Sequence, residues 1–455
     1  MFCHHLRGLP PSITLPTAAR LRTAIVTAFA KINALPLAPL LASPAGDAPA
    51  AQLLWPASLG GCLLADPVAL APAAFLDSLA ATLAALAADP ALAAAVNDHA
   101  SWPSSPSPIL RDGAAAFALI TSRPSFLDRT IVAAHDLDCS SAVAALLDSS
   151  GTPSISHLHH AAGRHLQSIF YQTITADVRA SILPTLTSLG RARINAAAGW
   201  GAAALLSASR LTTTSTVADH HFTWYLCHRL GLPHPYIPLA RLLTCSRRCP
   251  TVKERMTGSH PLAYTAPHAY HMLGCPKTSS RIDRHNHRTT VLHTSLCKTN
   301  IYTSSMVTGL FTSSASKKQI DLKLDSTHHS PTALALDTTI SCLLLPTYLA
   351  STAVSAEAPL QARATHKITK HGGDCALLQR AFMPFVGDTL GGIGPPAFRW
   401  WLRDVFAAVA LRARSDGEDP HAASFALEML LANLLATLTR DNVNMIERLT
   451  IRDVV

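Results

Sequence analysis

Negative charge is scarce in this sequence. Residues 1–150 contain ten Asp and no Glu, and the whole chain has 28 acids against 37 Lys and Arg, a formal net charge of +9. Only 14% of residues are charged and 6% aromatic, whereas 49% are hydrophobic. A chain so poor in charge and so rich in Ala and Leu is not disordered throughout. Its 455 residues give length for two or three domains with buried cores.

Long uninterrupted apolar runs are also missing. The longest stretch free of charge and His, Thr338–Ala356, contains Pro346 and seven Ser or Thr residues, which suits a buried strand and loop better than a bilayer span. The Ala-rich segment 63–96 is broken by Asp66, Asp77 and Asp89 and reads as soluble helices. The first eleven residues carry His and no continuous apolar run, so they make a poor signal peptide. No membrane partner is expected. The Gly-rich piece from Gly387 to Pro396 lacks the Gly-Lys-Ser/Thr of a phosphate loop and does not fit the dinucleotide fingerprint, so no nucleotide cofactor is expected either. Gly-x-Ser-x-Gly is absent, which argues against a Ser-His-Asp hydrolase. The ten Cys are scattered rather than set in a close, even framework, as befits a reducing compartment.

What the chain does have is concentrated. Residues 241–330 hold thirteen Lys or Arg against four acids, a net +9 that equals the charge of the whole chain, together with eight of the 23 His. Such a block is the footprint of a polyanion partner or, more plainly, a solvated basic loop. Upstream the sequence reads as helices punctuated by Pro, over Ala18–Ile32, Pro72–Ala88 and Ala218–Leu230. A Pro/Ser-rich linker runs over 100–110. Downstream come short strands over Gln319–Leu345, a helix over Ala358–Lys370, and Gly punctuation at Gly372-Gly373 and Gly391-Gly392. Two strong helices follow, the first from Pro395 and the second over Pro420–Arg440.

Three constellations carry chemistry. Cys245-x3-Cys249, 21 residues, then His271-x3-Cys275 has the two close ligand pairs of a structural zinc site, with His268 or His260 as alternatives to His271. Chance coincidence in a His-rich stretch is the competing explanation. Arg284-His285-Asn286, flanked by Arg281 and Arg288, offers charge, imidazole and amide for phosphate or base contacts. Asp321 and Asp337 each sit in an apolar, strand-like context. Two carboxylates on adjacent strands hold a divalent cation, and Lys367 or Lys370 offsets charge on a phosphate. An Asp that merely caps a strand end is the plainer alternative.

In this order, the pieces resemble the C-terminal half of non-LTR retrotransposon reverse transcriptases that end in a zinc knuckle and a restriction-like endonuclease. The run from Ala269 to Arg288, in which His271 and Cys275 lead into Arg284-His285-Asn286, carries most of the likeness. Gln52–Gly61 resembles the thumb region. Arg191–Arg193, Gly199–Gly201 and Arg229–Pro233 resemble the helical linker. The resemblance implies an α+β chain: a mostly helical N-terminal region, a small zinc knuckle, then an α/β restriction-like (PD-(D/E)xK) nuclease domain. The implied divisions are a thumb-like region at 1–100, a helical linker region at 101–235, a knuckle and basic DNA-binding region at 236–290, and a nuclease domain with C-terminal helices at 291–455. It further implies nuclear location, DNA and element RNA as partners, structural zinc, and catalytic magnesium or manganese. The activity it implies is nicking of target DNA for target-primed reverse transcription.

Departures from that pattern are specific. No Tyr-x-Asp-Asp occurs, so polymerisation is not expected of this chain. Ile320 stands where the family has Pro; the acid expected before Asp321 is missing, with no Asp or Glu from Arg284 to Ile320 and Met306 near its place; and His371 stands where the family often has an aromatic. The alternative is therefore a non-catalytic, nucleic-acid-binding remnant.

Overall fold

The computed structural model describes residues 6–36, 48–91, 93, 98–126, 141, 143–163, 165–207, 216–233, 273–274, 280–298, 303–307, 320–324, 333–400, 405, 411, 414 and 420–451. The chain is α+β, mostly helical with one small mixed sheet.

The first half is helical: α1 (Pro11–Ile32), α2 (Ala48–Leu53), α3 (Pro67–Ala87), α4 (Pro108–Thr121), α5 (Leu166–Ile182), α6 (Ser188–Ala197), α7 (Ala204–Ser207) and α8 (Asp219–Leu230). Helix starts follow from local chemistry. Asp66 caps α3 by accepting from Val68 N, with Pro67 at the first helical position, where a missing N–H costs nothing. By length and composition α3 could cross a membrane. Its Phe75, Leu76, Leu79 and Leu83 pack in a core with Trp102, Phe117, Ile120, Phe126 and Phe170. That core spans the expected division at residue 100. It also converts the expected Pro/Ser linker into structure, because Trp102 is buried in a 3-10 turn (His99–Ser104) and Pro108 opens α4.

Three segments that the sequence singled out upstream meet in one buried network. Gln52 Nε2 donates to the Arg229 and Gly60 carbonyls at 3.0 and 2.8 Å, Arg193 donates to Gln52 Oε1 at 2.6 Å, and Arg229 donates to the Gly61 carbonyl at 2.8 Å.

The second half holds α9 (Ser280–Lys298), β1 (Thr303–Val307), β2 (Ile320–Leu324), β3 (Leu334–Ser341), α10 (Pro346–Thr352), α11 (Glu357–Leu377), β4 (Ala381–Asp388), α12 (Pro395–Trp400) and α13 (Pro420–Ile451). The sheet order is β1-β2-β3-β4; the first two pairings are antiparallel and β3–β4 is parallel. A parallel partner requires a crossover, which α10 and α11 supply. Helices cover both faces of the sheet. Leu292 and Leu296 of α9 and Leu430 and Leu434 of α13 pack with Leu322, Leu336 and Phe385 on one side. Leu360 and Ala364 of α11 pack with Val386, and Cys375 with Ile320 and Ala335, on the other.

The division expected at residue 290 falls inside α9. Gly372-Gly373, read as punctuation, lies inside α11, because His371 and Cys375 extend the buried line of Leu360 and Ala364 beyond the glycines.

Candidate active site

Helix α9 buries Arg284, Arg288, Leu292 and Leu296, a four-residue repeat with Thr289 beside it. This arrangement directs His285 to the sheet. There its Nε2 lies 3.2 Å from Asp321 Oδ1. Asp321 stands in β2, one residue on from the last registered pair with β3, Leu322↔Leu336. The backbone N–H that would continue the ladder, on Thr338, instead donates to Asp321 Oδ2 at 2.6 Å, and the Thr338 hydroxyl donates to the same oxygen at 2.8 Å. Thr289 Oγ1, 2.7 Å from Thr338 Oγ1, fixes that hydroxyl from behind. Both oxygens of Asp321 are thus held in place.

Asp337 lies on β3 next to Thr338. Lys367 of α11 donates to Asp337 Oδ2 at 2.5 Å, and His371 Nε2, one turn further along the helix, is 3.8 Å from the same oxygen. Asp321 and Asp337 are both 8% exposed, so their charges are met by protein groups more than by water. Burial pushes the Asp337 carboxyl up; Lys367 opposes this and the neighbouring Asp321 reinforces it, so the net direction is upward. Burial acts on Asp321 too, but the hydrogen bonds from His285 and Thr338 outweigh it and hold that carboxyl below its ordinary range. The two carboxyls influence each other, and their environments drive them in opposite directions.

The sequence-derived residues do not all meet. Asp321, Asp337 and Lys367 come together, joined by His285. Lys370 is exposed and lies outside the cluster. Arg284 and Arg288, expected at a phosphate surface, are instead 1% and 2% exposed. Arg284 donates to Asn442 Oδ1 at 2.7 Å and to the Leu273 carbonyl at 2.9 Å, and Arg288 lies over the Phe385 ring at 5.4 Å. Burial pushes both guanidinium groups down to about 10. Their spacing puts them on the core side of α9, where they pack against the sheet and α13 and do not face solvent. Arg281 is exposed, and Asn286 lines a cleft of about 420 Å³ between α9 and α13. Cys245, Cys249, His271 and Cys275 lie outside the described residues, as do His260 and His268.

Thr338 and His371 were not assigned roles from the sequence. The adjacency of Thr338 to Asp337 and the i+4 spacing of His371 from Lys367 are the signals that could have marked them.

Among the described residues no group of three or more His, Cys, Asp or Glu is gathered as metal ligands. The Asp321–Asp337 pair nevertheless suits magnesium or manganese, because magnesium is commonly held by one or two carboxylates with waters and substrate oxygens completing the shell. The burial and the neighbouring acid that push the Asp337 carboxyl up would be offset by a cation, as Lys367 already offsets them.

Fold and site together define an α+β protein with a buried carboxylate pair flanked by lysine and histidine. No protein-family model matches the chain, and no curated protein is significantly similar to it.

Proposed function

We propose that this chain is a retrotransposon-derived DNA-binding protein whose sheet carries a metal-dependent endonuclease site, nicking DNA to leave a 3′-OH. The observation that carries the reading is the meeting of Asp321, Asp337 and Lys367 from β2, β3 and α11. Two acids on neighbouring strands and a lysine on an adjoining helix are the parts that phosphodiester hydrolysis needs.

Asp321 and Asp337 would hold magnesium or manganese. When bound, the cation supplies Lewis acidity at the phosphate and lowers the pKa of a bound water. Thr338 and His285 keep Asp321 in one orientation. Lys367 neutralises Asp337 in the resting protein and, once a phosphate enters, offers its ammonium to the developing negative charge. A zinc knuckle at Cys245, Cys249, His271 and Cys275, a nuclear location and element RNA as a further partner belong to the same proposal and rest on the sequence resemblance.

The purified chain with magnesium or manganese should convert supercoiled plasmid to the open-circular form. Asp337→Ala should abolish this while DNA binding persists. Nicking that survives Asp337→Ala overturns the assignment. Binding by the intact protein without nicking favours the non-catalytic remnant, to which the lack of an acid between residues 285 and 320 already points.

A further inference from the structure

Arg363, His366, Lys367 and Lys370 stand at positions i, i+3, i+4 and i+7 of α11, the spacing that aligns side chains along one helix face. From Ala358 to Gly373 the helix contains no acid. Lys367 reaches Asp337. Among the described residues, the side chains of Arg363, His366 and Lys370 make no hydrogen bond or ion pair, and the Arg363 Nε is buried without a partner. His366 and Lys370 are exposed and Arg363 is half-buried.

A basic helix face is ordinarily just solvated. Like charges at this spacing repel, however, and helices usually relieve the repulsion with interleaved acids. Here the relief is missing over some four turns, and the row leads directly to a residue of the carboxylate cluster. Meanwhile Arg284 and Arg288, the cations that the sequence offered for phosphate contact, are consumed by the core.

We propose that this edge of α11 receives the phosphate backbone of a DNA strand and delivers one phosphate to Asp337. The proposal rests on reading Asp321, Asp337 and Lys367 as a DNA-cutting site. Dimensions agree with it. Seven residues of helix rise about 10 Å, roughly three phosphate-to-phosphate steps of one strand at about 3.4 Å per nucleotide along the duplex axis, so the row spans about four phosphates. Lys367 then acts at the scissile phosphate, with Arg363 and Lys370 on its neighbours.

The test is binding of the full chain to a labelled duplex, without divalent cations so that nothing is cut, followed by fluorescence anisotropy over a salt series. Removing two phosphate contacts in R363Q/K370Q should flatten the dependence of log affinity on log salt by about 1.8, so that the loss between about 50 and 200 mM salt shrinks roughly tenfold. K370Q alone, at an exposed position that folding does not need, should give about half that change in slope. Unchanged slopes in both variants overturn the proposal, as does a chain that binds no duplex. The two readings fail separately. Nicking by the intact protein with an unchanged slope removes the α11 track and leaves the nuclease; a flattened slope without nicking keeps the track and removes the nuclease.

Discussion

Asp388 ends β4 and sits 1% exposed beneath the turn that follows. Its Oδ1 accepts from Leu390 N at 2.7 Å and Gly392 N at 2.9 Å. Burial pushes its carboxyl up to about 7, against the opposing pull of those backbone donors and of Arg288. The sign of the consequence is fixed. Between 3.8 and about 7 the folded chain keeps a proton that the unfolded chain has released. Stability from this group is therefore full at low pH and lost as pH rises towards 7. The upper limit is about 4 kcal/mol, at about 1.4 kcal/mol for each unit of pKa. Asp388→Asn preserves the acceptor but cannot ionise, so its stability relative to the parent should rise across that interval in a pH series of urea melts. Asp66, Asp337 and Asp441 shift in the same direction, so only the difference between the two proteins is diagnostic. A constant difference would show that Asp388 does not titrate there.

Helix α11 offers a test of backbone economy. A Cβ added at Gly373 meets nothing within 4 Å, and one added at Gly372 meets only Ile368 Cγ2 at 3.6 Å. Glycine inside a helix costs about 1 kcal/mol relative to alanine. Gly373→Ala should thus stabilise the chain by about 0.5–1 kcal/mol in denaturant melts; a loss of stability would mean that the helix breaks there. Local preference stopped the sequence reading at this pair, whereas the packing of Cys375 against Ile320 and Ala335 carries the helix to Leu377. Strand β4 escaped notice for a related reason. Pro384 lies in its middle, opposite Asp337, and is tolerated because β4 is an edge strand. By contrast β2 and β3 were legible, since Asp321 and Asp337 interrupt otherwise apolar runs. Their environment was visible in the sequence, but the partners His285 and Thr338 were not, because the register that joins them is tertiary.

Arg284 binds distant parts of the chain together. Its bonds to Asn442 and to the Leu273 carbonyl, and the bond from Asn442 Nδ2 to the Thr389 carbonyl at 2.9 Å, join α9, α13 and the turn after β4. Arg284→Met keeps the length but orphans two buried acceptors, each costing about 1–3 kcal/mol. A destabilisation of about 2–4 kcal/mol is expected in denaturant melts; unaltered stability would return Arg284 to the surface role that its sequence context suggested. The expected divisions of the chain were less legible than its helices. A single core cluster draws on Val26, Leu53, Trp224, Leu273, Cys342 and Ile446, so pieces far apart in sequence are packed as one. Periodicity marks which side of a helix is apolar, but not which other helix will cover it.

The parallel pairing of β4 with β3 has a consequence for the order in which the protein assembles. The β2–β3 hairpin closes over a short connection, whereas Leu334 meets Ala381 only after two helices have formed and docked. Chain-closure entropy favours the local pairing first. The strands that carry Asp321 and Asp337 are therefore expected to pair before α11 brings Lys367 to Asp337. The crossover that completes the sheet is also the event that neutralises it.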